Sequence, residues 1–205
     1  MLENSKISLS PGATIGILGG GQLGRMSALA AARLGFRCHI FTPENNSPAS
    51  HVAFKTTIAD YEDRDALCSF ANESDVITYE FENIPIETAL FLEQLKPVYP
   101  SPSILAISQH RGSEKKFAND HGIKVAPYEL VTNYNELERA LAKLQTPSIL
   151  KTCRFGYDGK GQEKLSDLNS AKKAWQNLAT QDAILEQFVE FEKEISVIIA
   201  RNNNG

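Results

Sequence analysis

The stretch Thr14-Ile15-Gly16-Ile17-Leu18-Gly19-Gly20-Gly21-Gln22-Leu23-Gly24-Arg25-Met26 sets the fold class of the first half of the chain. A short apolar run, Ile15 to Leu18, passes through a glycine cluster into Leu23 to Leu34, where apolar residues recur at helical spacing and stop at Gly35. Strand, tight turn and helix in that order open a parallel sheet flanked by helices. Gly19, Gly21 and Gly24 keep the G-x-G-x-x-G spacing. Glycines let the backbone turn sharply, and the unpaired N–H groups and positive dipole end of the helix favour a negative charge. Three readings are open at this loop: a phosphate-bearing small molecule, a dinucleotide such as NAD, or a bare turn that packs strand against helix. The dinucleotide reading wants an acid at the end of the second strand for the ribose hydroxyls, but that strand ends at Thr42-Pro43 with Glu44 beyond it.

Outward from this motif, strands are expected at Cys38 to Phe41, around Phe54 to Thr57, at Val76 to Tyr79 and at Pro97 to Tyr99, with helices at Arg64 to Asn72 and Ile86 to Leu95. Thr78-Tyr79-Glu80-Phe81-Glu82-Asn83 then puts two carboxylates at the C-terminal edge of the sheet, the edge that also carries the glycine loop. A carboxylate there can hold the hydroxyls or amine of a ligand whose phosphate sits on the loop. The plainer alternative is a solvated helix start, with Glu87 complementing the dipole. Glu80 and Glu82 are two apart and face one side of an extended backbone, so spacing does not choose between them.

Ser101-Pro102-Ser103 offers a cap with proline in the first turn, and the short helix it starts is expected to run to about Ser108 and to mark a domain boundary. The expected organisation is a flexible arm over 1–12, a Rossmann-like parallel-sheet domain over 13–105 and an α+β domain over 106–205. In the second domain the pattern predicts a helix at Gly112 to His121, a strand at Tyr128 to Val131, a helix at Asn135 to Leu144 and a strand at Ser148 to Thr152. A helix at Ser166 to Leu178 and a strand at Ala183 to Glu186 follow. Glu194 to Ala200 alternates like a last strand that turns at Asn203-Asn204-Gly205, and the missing return strand suggests a longer protein.

Ile149-Leu150-Lys151 ends an apolar strand on a lysine, and Phe155-Gly156-Tyr157-Asp158-Gly159-Lys160-Gly161-Gln162 follows within a few residues. Such a hairpin can fold its N–H groups over a polyphosphate, with Lys151 and Lys160 supplying positive charge. It is not a Walker A loop, because the G-x-x-x-x-G-K-[ST] spacing is absent and a strand is expected after it. An ordinary exposed hairpin turn would use the same residues. Further on, Ile184-Leu185-Glu186-Gln187-Phe188-Val189 runs a strand into an acid. An edge backbone of that kind can hydrogen-bond adenine, and Glu194 can then accept from ribose hydroxyls if the phosphates extend back to Lys151. Glu190 and Glu192 read as loop charges.

Composition narrows the function classes. A formal net charge of -4 lacks the basic excess that phosphate-backbone binding requires, which argues against a nucleic-acid partner. Cys38, Cys68 and Cys153 are odd in number and far apart, so neither a disulfide framework nor a zinc site is expected and a reducing cytoplasm fits. His39, His51, His110 and His121 share no ligand spacing and read as packing or surface residues. Met1 to Pro11 is too polar for a signal peptide, and no run reaches membrane-spanning length.

The order Gly-Gly-Gly-Gln-Leu-Gly-Arg-Met, Thr-Tyr-Glu-Phe-Glu-Asn, strand-Lys151, Gly-Tyr-Asp-Gly-Lys-Gly-Gln and Glu-Gln-Phe-Val resembles the ATP-grasp family. Within it the chain is most similar to the ligases that carboxylate 5-aminoimidazole ribonucleotide in purine biosynthesis. Formate-dependent glycinamide ribonucleotide transformylase has a similar layout, but its second loop is serine-rich where this chain has Tyr157-Asp158. The resemblance implies a preATP-grasp domain followed by the small subdomain and the start of the catalytic subdomain of an ATP-grasp domain. It implies ATP, bicarbonate and 5-aminoimidazole ribonucleotide as substrates, reacting through carboxyphosphate, and a homodimer in the full-length protein. It also implies Mg2+, with the metal ligands downstream of Gly205 and an inactive product if the chain ends there. By the same resemblance Arg111, Lys151 and Gly156, Tyr157, Asp158, Gly159, Lys160, Gly161 and Gln162 hold ATP phosphates. Glu186, Gln187, Phe188 and Val189 hold adenine, and Glu194 holds ribose. Gly21, Gln22, Leu23 and Glu80 are then the substrate contacts, while Tyr157, Asp158 and Lys160 close over the reacting groups.

Overall fold

The computed structural model describes residues 8–156 and 159–201. Met1 to Ile7 of the expected arm, Tyr157 and Asp158, and the turn at Asn203-Asn204-Gly205 lie outside the described residues. The chain divides into two units, Met1–Ala106 and Ile107–Gly205. At the start of the described chain Gly12 N donates to Gly35 O at 2.7 Å and Arg37 Nε donates to Gly12 O at 3.1 Å, so the residues just before the first strand are tied down. Among the described residues no helix is long and apolar enough to cross a membrane.

In the first unit β1 (Thr14–Leu18), β2 (Arg37–Thr42), β3 (Lys55–Ile58) and β4 (Val76–Tyr79) form a parallel sheet in the order β3-β2-β1-β4. Helices α1 (Gln22–Arg33), α2 (Arg64–Asn72) and α3 (Ile86–Leu95) connect or follow the strands. Alternation along β1 sends Ile17 and Leu18 to opposite faces. Ile17 packs with Ile40, Ala28 and Ala31, and Leu18 packs with Phe41, Leu67, Phe70, Ile77 and Leu92. Each such large side chain, fully buried, contributes about 1.5–3 kcal/mol by removal from water. Asp63 starts α2, its Oδ1 accepting from Ala66 N at 3.0 Å. The expected strand at Pro97 to Tyr99 is reduced to a single parallel bridge between Ile77 and Val98. Pro97 and Pro100 flank it without N–H groups, so the ladder cannot extend.

After α4 (Pro102–Ser108), the second unit contains α5 (Arg111–Asp120), β5 (Tyr128–Val131), α6 (Tyr134–Leu144), β6 (Ser148–Thr152), β7 (Gln162–Leu165), α7 (Ala171–Leu178) and β8 (Ala183–Gln187). The strands form an antiparallel sheet in the order β5-β8-β6-β7. One face is apolar: Val131, Leu150, Leu165 and Leu185 pack with Leu137 and Leu141 of α6 and with Ala171 and Ala174 of α7. Because strand side chains alternate, Lys151, Ile184, Glu186 and Tyr128 belong to the opposite face. The expected helix from Ser166 begins instead as a 3-10 turn at Leu168–Ser170. Asp167 Oδ1 accepts from Ser170 N at 2.9 Å and Ser170 Oγ donates to Asp167 O at 2.6 Å, local bonds that compete with helix start. Glu194 to Ala200 is not a strand either. Ile195, Val197, Ile198 and Ile199 are exposed, and no neighbouring strand among the described residues supplies the ladder partner that an alternating sequence needs.

Candidate nucleotide site

The open face of the second sheet and α5 enclose a cavity of about 290 Å³ lined by Arg111, Glu114, Lys115, Ala118, Val125, Lys151 and Glu186. Arg111, Lys115 and Ala118 are on one side of α5 because helical residues three and four apart share a face. Lys151 enters from β6 and Glu186 from β8. Glu186 is only 7% exposed, and both of its oxygens are engaged: Lys151 Nζ lies 2.9 Å from Oε2 and Lys115 Nζ 3.4 Å from Oε1. Lys115 also sits 5.8 Å from the centre of the Tyr128 ring. Three cations thus face two carboxylates in a half-enclosed cavity, a setting that favours an anionic ligand.

Arg111 ties this cavity to the glycine hairpin. Its backbone N donates to Cys153 O at 3.0 Å, Nε donates to Thr152 O at 3.1 Å and Nη2 donates to Gly156 O at 3.1 Å. The hairpin closes where β6 meets β7, with Lys151 opposite Gln162 and Thr152 N donating to Gly161 O at 2.9 Å. Gly161 has φ +69°, and a Cβ on it would lie 2.7 Å from Thr152 Oγ1. A Cβ on Gly156 would lie 3.0 Å from Arg111 Nη2. Thr152 Oγ1 is buried with no hydrogen-bond partner among the described residues, an orphaned polar atom at the loop's root.

The remaining expected nucleotide residues are placed less uniformly. Gln187 N donates to Pro127 O at 2.9 Å and Phe188 N to Pro147 O at 3.1 Å, so neither N–H is open to a base. Val189 is 49% exposed, Lys164 Nζ stands 4.2 Å from the centre of the Phe188 ring, and Glu194 is exposed on the segment that forms no strand. Gly159, Lys160 and Gln162 are exposed on the hairpin and at the start of β7. The structure brings Arg111, Lys151, Gly156 and Glu186 together and leaves Glu194 outside the cavity lining.

Behind the hairpin, three residues that the sequence left unconnected meet. His110 caps α5, its Nδ1 accepting from Gly112 N at 3.2 Å and Ser113 N at 3.3 Å, and its Nε2 lies 3.1 Å from Asp182 Oδ1. Cys153 joins them: burial, then hydrogen bonding to Asp182, push its thiol up to about 12. The three potential ligand atoms lie within 4.8 Å of one another. Since Nδ1 accepts backbone protons, Nε2 carries the ring proton and donates to Asp182. The cluster is therefore a hydrogen-bonded brace for Arg111, not a ready metal site.

In the first unit the glycine loop meets a carboxylate of its own chain. Gly21 N donates to Glu80 Oε1 and Gly24 N donates to Glu80 Oε2, while Glu80 N donates to Leu18 O at 3.1 Å. A Cβ on Gly24 would lie 2.9 Å from Glu80 Oε2, so the loop is shaped around this side chain. The donors expected to face a phosphate are filled by Glu80, which counts against both the phosphate and the NAD readings of this loop. Gln22 and Leu23 are exposed beside it, as is Glu82.

Lys115, Glu114 and Thr152 were not singled out by the sequence. For Lys115 a signal was available: it is one helical turn from Arg111, on the same face. Nothing in spacing marks Thr152 or Glu114.

A cavity lined by Arg111, Lys115 and Lys151 and tied through Arg111 to a glycine hairpin, in an antiparallel-sheet unit that follows a parallel-sheet unit along the chain, defines a two-unit α/β architecture suited to an anionic ligand. Residues 12–109 match the ribonucleotide synthetase preATP-grasp domain and residues 116–205 match the ATP-grasp domain, and the chain belongs to the ATP-grasp family. The particular likeness is to N5-carboxyaminoimidazole ribonucleotide synthase. The enzyme of that name from Brucella melitensis biotype 1 is 50% identical over 202 residues, which cover 98% of this chain and 56% of the relative. The solved ADP complex of an N5-carboxyaminoimidazole ribonucleotide synthetase superposes with a TM-score of 0.86 at 42% identity, covering 92% of this chain and 50% of that one. The ADP complex of the Staphylococcus aureus synthetase gives a TM-score of 0.86 at 33% identity, with 90% and 49% covered. The chain spans about half the length of the curated synthases it matches.

Proposed function

We propose that the protein carrying this chain uses ATP and bicarbonate to carboxylate the amine of 5-aminoimidazole ribonucleotide, through carboxyphosphate, in purine biosynthesis. The observation that carries the reading is the meeting of Arg111 and Lys151 in one cavity beneath the Gly156 hairpin. Its relatives bear the name of this reaction, and two of their structures hold ADP. The residues present suit a nucleotide polyphosphate: cations line a concave pocket, and the buried Thr152 Oγ1 has a hydroxyl to offer at the loop root. Lys151 and Arg111 neutralise phosphate charge, and the hairpin with Tyr157, Asp158 and Lys160 excludes water from the reacting groups. Glu186 to Val189 lie along adenine, and Glu194 holds ribose. Gly21, Gln22, Leu23 and Glu80 form the substrate side. Glu80 does so as the anchor of the loop whose outer residues, Gln22 and Leu23, are exposed.

The described residues do not form a magnesium site. Glu114 and Glu186 are the cavity's carboxylates, and Glu186 is already neutralised by two lysines. Bicarbonate as second substrate and a homodimeric full-length protein rest on the family resemblance. A cytoplasmic location is supported by three free cysteines, Cys38, Cys68 and Cys153. The organisation proposed is a preATP-grasp substrate domain over 13–105 and ATP-grasp sequence over 106–205. The test is phosphate release by the full-length protein: release that requires 5-aminoimidazole ribonucleotide and bicarbonate, ignores formate and is lost in Lys151→Met is expected. Release driven by formate and glycinamide ribonucleotide would replace this reading with the transformylase.

A further inference from the structure

We infer that Lys115 is a positioning residue that releases Lys151 to a nucleotide phosphate by keeping the Glu186 carboxylate paired with a cation. The inference rests on the nucleotide reading above and concerns a residue that reading leaves unused.

Glu186 is nearly buried, and Lys151 and Lys115 each hold one of its oxygens, at 2.9 Å and 3.4 Å. Lys151 is thus engaged by an internal carboxylate where an arriving phosphate would compete for it. A phosphate can take Lys151 only if Glu186 keeps another counter-charge, because an unpaired carboxylate in a poorly solvated site is strongly unfavourable. It would also repel the ligand. Lys115 is placed to remain: it reaches Glu186 from α5 rather than from the sheet and is steadied over the Tyr128 ring, which the strand register sets directly beside Glu186. Arg111 cannot substitute, since its guanidinium is bonded to Thr152 O and Gly156 O. Two lysines on one acid therefore form an exchange: with cavity empty of anion, Glu186 is shared, and with phosphate bound, Lys151 turns to the ligand while Lys115 retains the acid.

The distinguishing measurement is a double-mutant cycle on ADP affinity in the full-length protein, by calorimetry, with adenosine as the uncharged control. Lys115→Met is expected to weaken ADP about tenfold and adenosine less than twofold, and Lys115→Arg to restore most of the loss. In a Glu186→Gln background, where no acid remains to be neutralised, Lys115→Met is expected to change ADP affinity by less than about twofold. If Lys115 instead touched the phosphate itself, the tenfold loss would persist in that background and the inference would be wrong. Equal ADP affinity for Lys115→Met and the unsubstituted protein would also overturn it, leaving the nucleotide reading intact. An unsubstituted protein that binds no ADP would overturn both. Circular dichroism of each variant separates these outcomes from misfolding, and Lys115→Gln, which also removes the charge, carries the same test with the same expected tenfold loss if Lys115→Met does not fold.

Discussion

Replacing Glu80 tests whether the first glycine loop is held by a carboxylate of its own chain. Glu80 accepts from Gly21 N and Gly24 N at the start of α1, where helix N–H groups have no internal partner. A hydrogen bond to a charged acceptor contributes about 1.5–3 kcal/mol, and the favourable charge at the helix start adds about 0.3–1 kcal/mol. The site is partly buried, so water recovers part of this in a truncated variant. Glu80→Ala is expected to cost about 2 kcal/mol net, and Glu80→Gln, which keeps one acceptor and loses the charge, about 1 kcal/mol. For a unit of this size 2 kcal/mol lowers the melting midpoint by about 8–16 °C. Thermal unfolding followed by circular dichroism reads the midpoint, and hydrogen exchange reads the loop itself, with faster exchange at Gly21 and Gly24. An unchanged midpoint together with unchanged exchange in Glu80→Ala would refute the clamp.

Two further outcomes follow from the packing. His39 is buried with its Nε2 2.8 Å from Thr57 Oγ1, and burial lowers its pKa from 6.5 to about 4 despite the nearby Glu73. The unfolded chain therefore binds the extra proton first as pH falls. Stability is full above about pH 6.5 and declines toward pH 4, by at most about 3 kcal/mol from this group; urea titrations across that range should show the decline, and His39→Gln should flatten it. Gly161→Ala combines φ +69° with a Cβ 2.7 Å from Thr152 Oγ1, so a loss of about 1–3 kcal/mol is expected in chemical denaturation, with faster exchange at the hairpin root.

The parallel sheet was legible because its signals are local. The apolar runs of β1, β2 and β4 are bounded by turns, and the helices between them carry clear spacing. Pro97 to Tyr99 shows the limit: its composition suits a strand, but flanking prolines leave one bridge. Glu194 to Ala200 shows another, since alternation cannot report whether a partner strand is present. In the site, Lys151 was readable from its place at a strand end, and Arg111 from resemblance. The role of Glu80 as a clamp was not readable, because it depends on Gly21 and Gly24 meeting a side chain from a distant strand end. Likewise, His110, Cys153 and Asp182 have no sequence spacing that predicts their meeting; the ends of β6 and the start of β8 bring them to the cap of α5.

The cysteines give the molecule a built-in reporter. Cys38 is buried with its thiol pKa raised by burial, Cys153 is buried and pushed up to about 12, and Cys68 is half-buried on α2. A thiolate-seeking reagent at neutral pH meets little reactivity at Cys38 and Cys153 until the chain around them opens. Because Cys38 belongs to the parallel sheet and Cys153 to the root of the hairpin, mass spectrometry of brief alkylation pulses can time the opening of each unit separately, with no engineered cysteine.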